Sequence, residues 1–233
     1  MRVEIWSDVV CPWCAIGKRR FEVALARFAH RDEVEVVWRS FELDPAAPAS
    51  VDVSATRRLA DKYGVSLDQA RAMEQRVTDA AAGEGLAFRY DLARPGNTVD
   101  AHRVLHLAAD RGVQSAVKER LLLAYFTEGA PVADRPTLAR LAGEAGLDAA
   151  ETARMLDSDD YLAEVRADEA EARALGIQGV PFFVLDRRYG VSGAQPAEML
   201  LQALDRAWAE AQPLTVVAGP QTGPACTDDS CAV

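Results

Sequence analysis

Apolar residues along this chain keep two periods. Near each end they run in short β-branched and aromatic stretches. Between those stretches they recur at i, i+3 and i+4, the spacing of amphipathic helices. Val3-Glu4-Ile5-Trp6 reads as a strand over about residues 2–6, and a helical pattern follows to about Ala29, with Ile16, Phe21, Leu25 and Phe28 as its apolar stripe. Val34 to Phe41 reads as a second strand, and Leu43-Asp44-Pro45-Ala46-Ala47-Pro48 ends regular structure. From about residue 53 to 175 the pattern is almost entirely helical. Helices are expected over Ser54–Tyr63, from an N-cap at Ser66 to about Ala82, from Asn97 or Thr98 through Asp110, and over Gln114–Thr127, Thr137–Ala145, Ala149–Leu156 and Asp160–Leu175. Asp100, three after Asn97, has the place of an acidic capping-box partner. An extended piece, Leu86 to Tyr90, interrupts them. Strand character returns at Val180–Leu185 and Tyr189–Ser192, joined by a turn at Asp186-Arg187-Arg188, and Pro196 opens a last helix ending near Ala211.

This order predicts an α/β protein in which β-α-β and β-β-α halves (1–50 and 176–211) flank an all-helical insertion (51–175). A flexible tail (212–233), rich in Pro, Gly and Thr, carries Cys226 and Cys231. No repeat period is present.

Between the first strand and the first helix stands Cys11-Pro12-Trp13-Cys14. Two thiols three positions apart at a helix start can close a disulfide and reopen it. The unpaired N–H groups and dipole of the helix N-terminus favour a thiolate, the attacking species, by roughly 0.3–2 kcal/mol. Pro12 suits a first helical turn, where its missing N–H costs nothing. An ionised Asp8 nearby would work the other way. The expected roles are Cys11 as nucleophile, at the exposed helix start, and Cys14, a turn deeper, as the resolving thiol. The same spacing fits half of a zinc site, for which Cys226 and Cys231 are the candidate second pair. The strand–CxxC–helix context favours redox chemistry, and no metal is expected.

Among 233 residues, 26 Lys and Arg stand against 36 Asp and Glu, a formal charge of −10. That argues against nucleic acid or an anionic membrane surface as the main partner. With 49% hydrophobic residues a core needs no staples, and four cysteines make no disulfide framework. Met1 runs straight into strand-like sequence, so a cytoplasmic setting is expected, where disulfides tend to be catalytic. No GxGxxG fingerprint points to a nucleotide cofactor.

These halves, with CxxC at the first helix start, resemble a thioredoxin fold split by a helical domain, and so the DsbA family of thiol-disulfide oxidoreductases and isomerases. Within it the chain is similar to the FrnE group of cytoplasmic members with an extra C-terminal cysteine pair. The resemblance rests on Ser7 to Cys14, Arg39 to Pro45, Asn97-Thr98 with Ala101-His102-Arg103, Gly179-Val180-Pro181-Phe182-Phe183, and Ser192 to Pro196. It implies that the Val180–Pro181 bond is cis and faces the CxxC, with Val180 pairing to the substrate chain in a mixed disulfide. It implies protein or small-molecule thiols and disulfides as partners, glutathione as a redox partner, and no cofactor beyond the cysteines. It leaves monomer or dimer open.

The segment around Asn97 and His102 resembles the part of the insertion that faces the active site, so His102 is a candidate to donate to the thiolate or touch substrate. His106 reads as packing or surface, His30 as a helix-end residue, and Trp6 and Trp38 as core. For Cys226 and Cys231 the expectation is a redox-active tail pair. About 15 flexible residues after Ala211 give a span of roughly 20–23 Å, against a radius of gyration of about 17 Å for a chain this size. Two other functions fit parts of the sequence. A glutathione-dependent isomerase or transferase on the same fold matches Asn97, His102 and Val180-Pro181 but has Ser at the position of Cys11. A holdase-like chaperone would grip peptides with the helical insertion.

Overall fold

The computed structural model describes residues 1–49 and 53–211; Cys226 and Cys231 lie outside them. Among the described residues, four strands form one mixed sheet. β1 (Arg2–Ser7) pairs parallel with β2 (Glu35–Ser40) and antiparallel with β3 (Phe182–Leu185). β3 turns back into β4 (Tyr189–Ser192), giving the order β2-β1-β3-β4.

The alternation along β1 sets its two faces. Val3 and Ile5 point to one side, where α1 (Pro12–Arg27) and α9 (Ala197–Ala211) cover them with Phe21, Ala24, Phe28, Leu200 and Leu204. Glu4 and Trp6 point to the other, against α8 (Leu162–Ala174). Trp6 packs on Ala172, Ile177 and Val184, and its indole Nε1 donates to the Asp168 carbonyl at 2.9 Å. Glu4, buried in the same layer, accepts from Arg39 and Arg187 at 2.9 and 2.8 Å. A central strand can hold this carboxylate because two guanidiniums converge on it.

Between β2 and β3 the chain forms α2 (Ala55–Tyr63), α3 (Leu67–Gly83), α4 (Val99–Asp110), α5 (Gln114–Leu123), α6 (Arg135–Glu144), α7 (Ala149–Leu156) and α8. Their apolar faces meet in a core that includes Val104, Val117, Leu121, Phe126, Leu138, Leu141 and Leu156. Ser66 and Gln69 form a reciprocal capping box on α3, and Asp134 and Asp148 cap α6 and α7.

Several local expectations change. The helix expected over Gln114–Thr127 is α-helical only to Leu123, and a π-helical turn follows over Ala124–Glu128. The helix expected from Thr137 starts at Arg135, because Asp134 caps it and Pro136 fits the first turn. Leu86–Tyr90 joins no ladder: the Arg89 N–H donates to the Phe126 carbonyl and Phe88 stacks on Phe126 at 4.4 Å. Asp100 caps nothing. It binds Arg103 and Arg135 at 2.6 and 2.7 Å, while the Asn97 Oδ1 accepts from the Val99 N–H. The last strand pair starts at Phe182 rather than Val180, and His30 stacks on Trp208 at 4.2 Å.

Candidate active site

The end of the central strand β1 and the start of α1 bring the sequence-predicted cysteines together. Cys11 is the N-cap residue of α1, with extended backbone (φ −89°, ψ 114°), and its carbonyl accepts from the Cys14 N–H at 3.0 Å. Pro12 occupies the first helical turn. Both cysteines are free thiols. Only 4% of Cys11 and 1% of Cys14 is exposed, while Trp13 between them is 43% exposed. The helix start is therefore not open at the nucleophile, as the sequence reading had it. The Cys11 thiol donates to the Val180 carbonyl at 3.6 Å, and the Val180–Pro181 peptide bond is cis.

Gly17 lets α1 approach this close. A Cβ there would stand 2.8 Å from Pro181 Cγ and 3.5 Å from Ala194. Gly17→Ala should therefore destabilise the fold by about 1–3 kcal/mol, despite alanine's better helix propensity. Denaturant unfolding measures it, and an unchanged or raised stability would refute the close packing.

The surroundings push the two thiols in opposite directions. Cys11 is held well above the ordinary thiol pKa, first by its pairing with the Cys14 thiol, then by burial and by the neighbouring Cys14 and Asp8 charges; the Cys14 N–H opposes this. Burial also pushes Cys14 upward, but the Cys11 hydrogen bond, the Lys118 ammonium and the Ser7 hydroxyl outweigh it and hold Cys14 below its ordinary value. The helix N-terminus therefore does not lower the Cys11 thiol, against the expectation from the motif. The dipole's pull is weak beside burial and the neighbouring thiol.

His102, on α4, is fully buried, and its side chain hydrogen-bonds to Asp8 rather than to either sulfur. Its Nε2 lies 3.2 Å from Asp8 Oδ1. Asp8 also accepts from the Val9 and Leu43 N–H groups at 2.7 and 2.8 Å. Burial works to raise the Asp8 pKa, but His102, the Leu43 N–H and Lys118 together hold it below its ordinary range. The His102 Nδ1 and the Glu42 Oε2 are buried and unpartnered. Asn97 ties α4 to the loop after β2, its side-chain N–H donating to the Pro45 carbonyl at 3.3 Å. His106 is more than packing: its Nε2 lies 3.2 Å from Asp168 and 3.1 Å from the Ser40 hydroxyl.

With this geometry in place, the likeness to known proteins is specific. The sequence pattern of the DSBA-like thioredoxin domain matches residues 2–205. The chain belongs to that family. It is similar to a probable DsbA oxidoreductase from Streptomyces coelicolor, 51% identical, with a TM-score of 0.87 over 100% of this chain and 99% of that one. The cytosolic disulfide reductase DsbM from Pseudomonas aeruginosa shares the fold at 19% identity, with a TM-score of 0.64 over 91% of this chain and 100% of that one. A Bacillus subtilis protein, the uncharacterized YwbO, is 27% identical over 198 residues, 79% of this chain and 86% of that protein. The fold is thus the DsbA-like thioredoxin fold, and the chain is a member of the DsbA-type disulfide oxidoreductases.

Around this DsbA-like pair the structure places residues that motif reading missed. Lys118, on α5, is fully buried, with its Nζ 3.4 Å from the Ser7 carbonyl and 5.6 Å from the centre of the Trp38 ring. Its pKa falls to about 8: burial lowers it against the opposing pull of Cys14, Asp8 and Cys11. The signal was in the sequence. Lys118 sits on the apolar stripe of α5, between Val117 and Leu121, where a solvated lysine has no place. Tyr90 and Tyr125 are also drawn in, and burial raises both phenols first, with Cys11 acting on Tyr90 and Asp8 on Tyr125. No cluster of metal-binding side chains occurs among the described residues, and no helix among them is long and apolar enough to cross a membrane.

Proposed function

We propose that this chain exchanges disulfides through Cys11 and Cys14, as a FrnE-type oxidoreductase or isomerase of the cytoplasm. The observation that carries the reading is the placement of the Cys11 sulfur against the Val180 carbonyl, beside Cys14. A substrate disulfide entering along Val180–Pro181 meets Cys11, because Cys14 is more deeply buried. In the reductive or isomerising direction, Cys11 gives up its proton and its sulfur bonds to one substrate sulfur, while the other departs as thiolate and takes up a proton. Cys14 then attacks Cys11 Sγ and releases the second. In the oxidising direction a substrate thiolate opens the Cys11–Cys14 disulfide. The intact Cys-Pro-Trp-Cys favours exchange over the glutathione-dependent isomerase reading, although a neighbour sharing the fold, at 15% identity, is a 2-hydroxychromene-2-carboxylate isomerase. Glutathione is a fitting redox partner; the Pseudomonas aeruginosa reductase is also known with it. The substrates on this reading are protein or small-molecule thiols and disulfides. A catalytic turnover assay on a model protein disulfide, with glutathione as electron donor or acceptor, tests the reading. Turnover in at least one direction supports it, and none in either direction refutes it.

The tail pair, Cys226 and Cys231, belongs to the same reading as a relay that exchanges with Cys11–Cys14. Replacing both by Ser should leave the melting temperature unchanged and alter disulfide turnover. Equal turnover in the two chains would remove the relay.

A further inference from the structure

The four tryptophans of the chain are partnered very differently. The Trp6 indole N–H donates to the Asp168 carbonyl at 2.9 Å, and that of Trp38 to the Ser115 hydroxyl at 3.0 Å. Trp208 stacks on His30 at 4.2 Å and meets Phe28 edge-on at 5.9 Å. Among the described residues the Trp13 indole alone makes no hydrogen bond, ring contact or cation contact, and 43% of the residue faces solvent. Trp13 is held in the first turn of α1, behind Pro12 and between two thiols that are 4% and 1% exposed. Of the four residues of the motif it is the exposed one. A leucine or valine exposed singly is ordinary. A tryptophan combines a large apolar face with a polar N–H, and such residues concentrate where a partner covers them. From this placement we infer that Trp13 is a specificity-determining residue, whose indole face receives an aromatic side chain next to the reactive cysteine of a peptide disulfide.

The inference rests on the exchange reading above and names its substrate class. Reach follows from covalent geometry. In a mixed disulfide the Cα of the substrate cysteine lies about 5.5–6 Å from that of Cys11. The next residue of the substrate chain is about 3.8 Å further on. Trp13 is two residues from Cys11, at most about 7 Å along the chain. A ring beside the substrate cysteine therefore comes within the roughly 4.5–7 Å between centres that aromatic pairs adopt. The cost of ordering is small, because the indole has two side-chain torsions and stands on a helical backbone. The indole carries no charge, so it selects by ring and shape. Glutathione brings no ring to this surface. On this inference it serves as electron partner, and the selected substrates are peptide or protein disulfides with an aromatic neighbour. An aromatic pair adds about twofold to tenfold beyond the area it buries.

The test compares two substrates on one protein, so that any effect of position 13 on the sulfurs themselves cancels. The whole reduced chain is mixed with the disulfide-linked dimer of a short neutral peptide that has phenylalanine next to its cysteine, or with the same peptide bearing leucine there. The peptide disulfide becomes two thiols and the Cys11 and Cys14 thiols become the disulfide, so no further reductant is needed. The single-turnover rate constant should favour the phenylalanine peptide about fivefold in the native chain. The preference should fall within twofold of equality in Trp13→Ala and return in Trp13→Phe. Native rates equal within twofold, or a preference above twofold that survives in Trp13→Ala, overturn the inference. A second readout keeps the indole in place. On Cys14→Ser, the phenylalanine peptide trapped on Cys11 should move the Trp13 indole N–H resonance by its ring current, relative to the trapped leucine peptide. The same resonance position in the two adducts overturns the inference as well. A native chain that reduces neither peptide overturns the inference together with the exchange reading, whereas one that reduces both at equal rates overturns the inference alone.

Discussion

Cys11→Ser is expected to lower disulfide exchange by about three orders of magnitude or more, and Cys14→Ser to stall it halfway. The two thiols differ in reach. Cys11 lies at the helix start against the Val180 carbonyl, and Cys14 sits one turn deeper with 1% of its surface exposed. A hydroxyl at position 11 is too weak a nucleophile to open a disulfide, and the deeper sulfur cannot replace it without unfolding the first turn of α1. With Ser at position 14, Cys11 still attacks, but nothing resolves the mixed disulfide. Intact-mass measurement after mixing with a disulfide substrate should show one covalent adduct on Cys14→Ser and none on Cys11→Ser. The opposite pattern would make Cys14 the nucleophile.

Asp8→Ala should be among the most destabilising single changes in the molecule, at about 3–5 kcal/mol. The carboxylate is 1% exposed and receives three hydrogen bonds, from Val9 N–H, Leu43 N–H and His102 Nε2. Removing it leaves two buried amides and a buried imidazole without a partner, and each orphaned group costs about 1–3 kcal/mol, not additively. Denaturant unfolding of the two chains checks this, and a loss under 1 kcal/mol would mean that water takes the carboxylate's place. The pH dependence follows from the sign of the shift. Asp8 has a folded pKa below its unfolded value, so its contribution is fully present above the unfolded value. It is lost as the pH falls through the folded one. The native chain should therefore weaken in acid more steeply than Asp8→Ala does.

What the sequence makes legible here is what short-range pattern can encode. The β-rich ends, the helical middle and the Cys11–Cys14 spacing each fit within a dozen residues, and the DsbA-like fold follows from their order. The charge environment of the thiols does not fit within a dozen residues. Lys118 is over a hundred positions from Ser7 and meets its carbonyl only because α5 packs beside β2. His102 is 94 positions from Asp8, and their pairing turns a residue that resembles a substrate contact into a buried support for the loop behind Cys11. His106 looked like surface because its partner, Asp168, lies on α8. The rise of the Cys11 thiol has a similar origin, since a helix dipole can be read from a CxxC motif and burial by elements distant in the chain cannot.

The central claim is that Cys11 and Cys14 form a reversible redox pair. Thiol trapping of the whole chain across a series of glutathione buffers measures it directly. A single reversible two-electron transition is expected, in which Cys11 and Cys14 lose their free thiols together, in the native chain and in one ending before Cys226. Free thiols at both positions in every buffer, or a stable glutathione adduct on Cys11 that Cys14 never resolves, would contradict it.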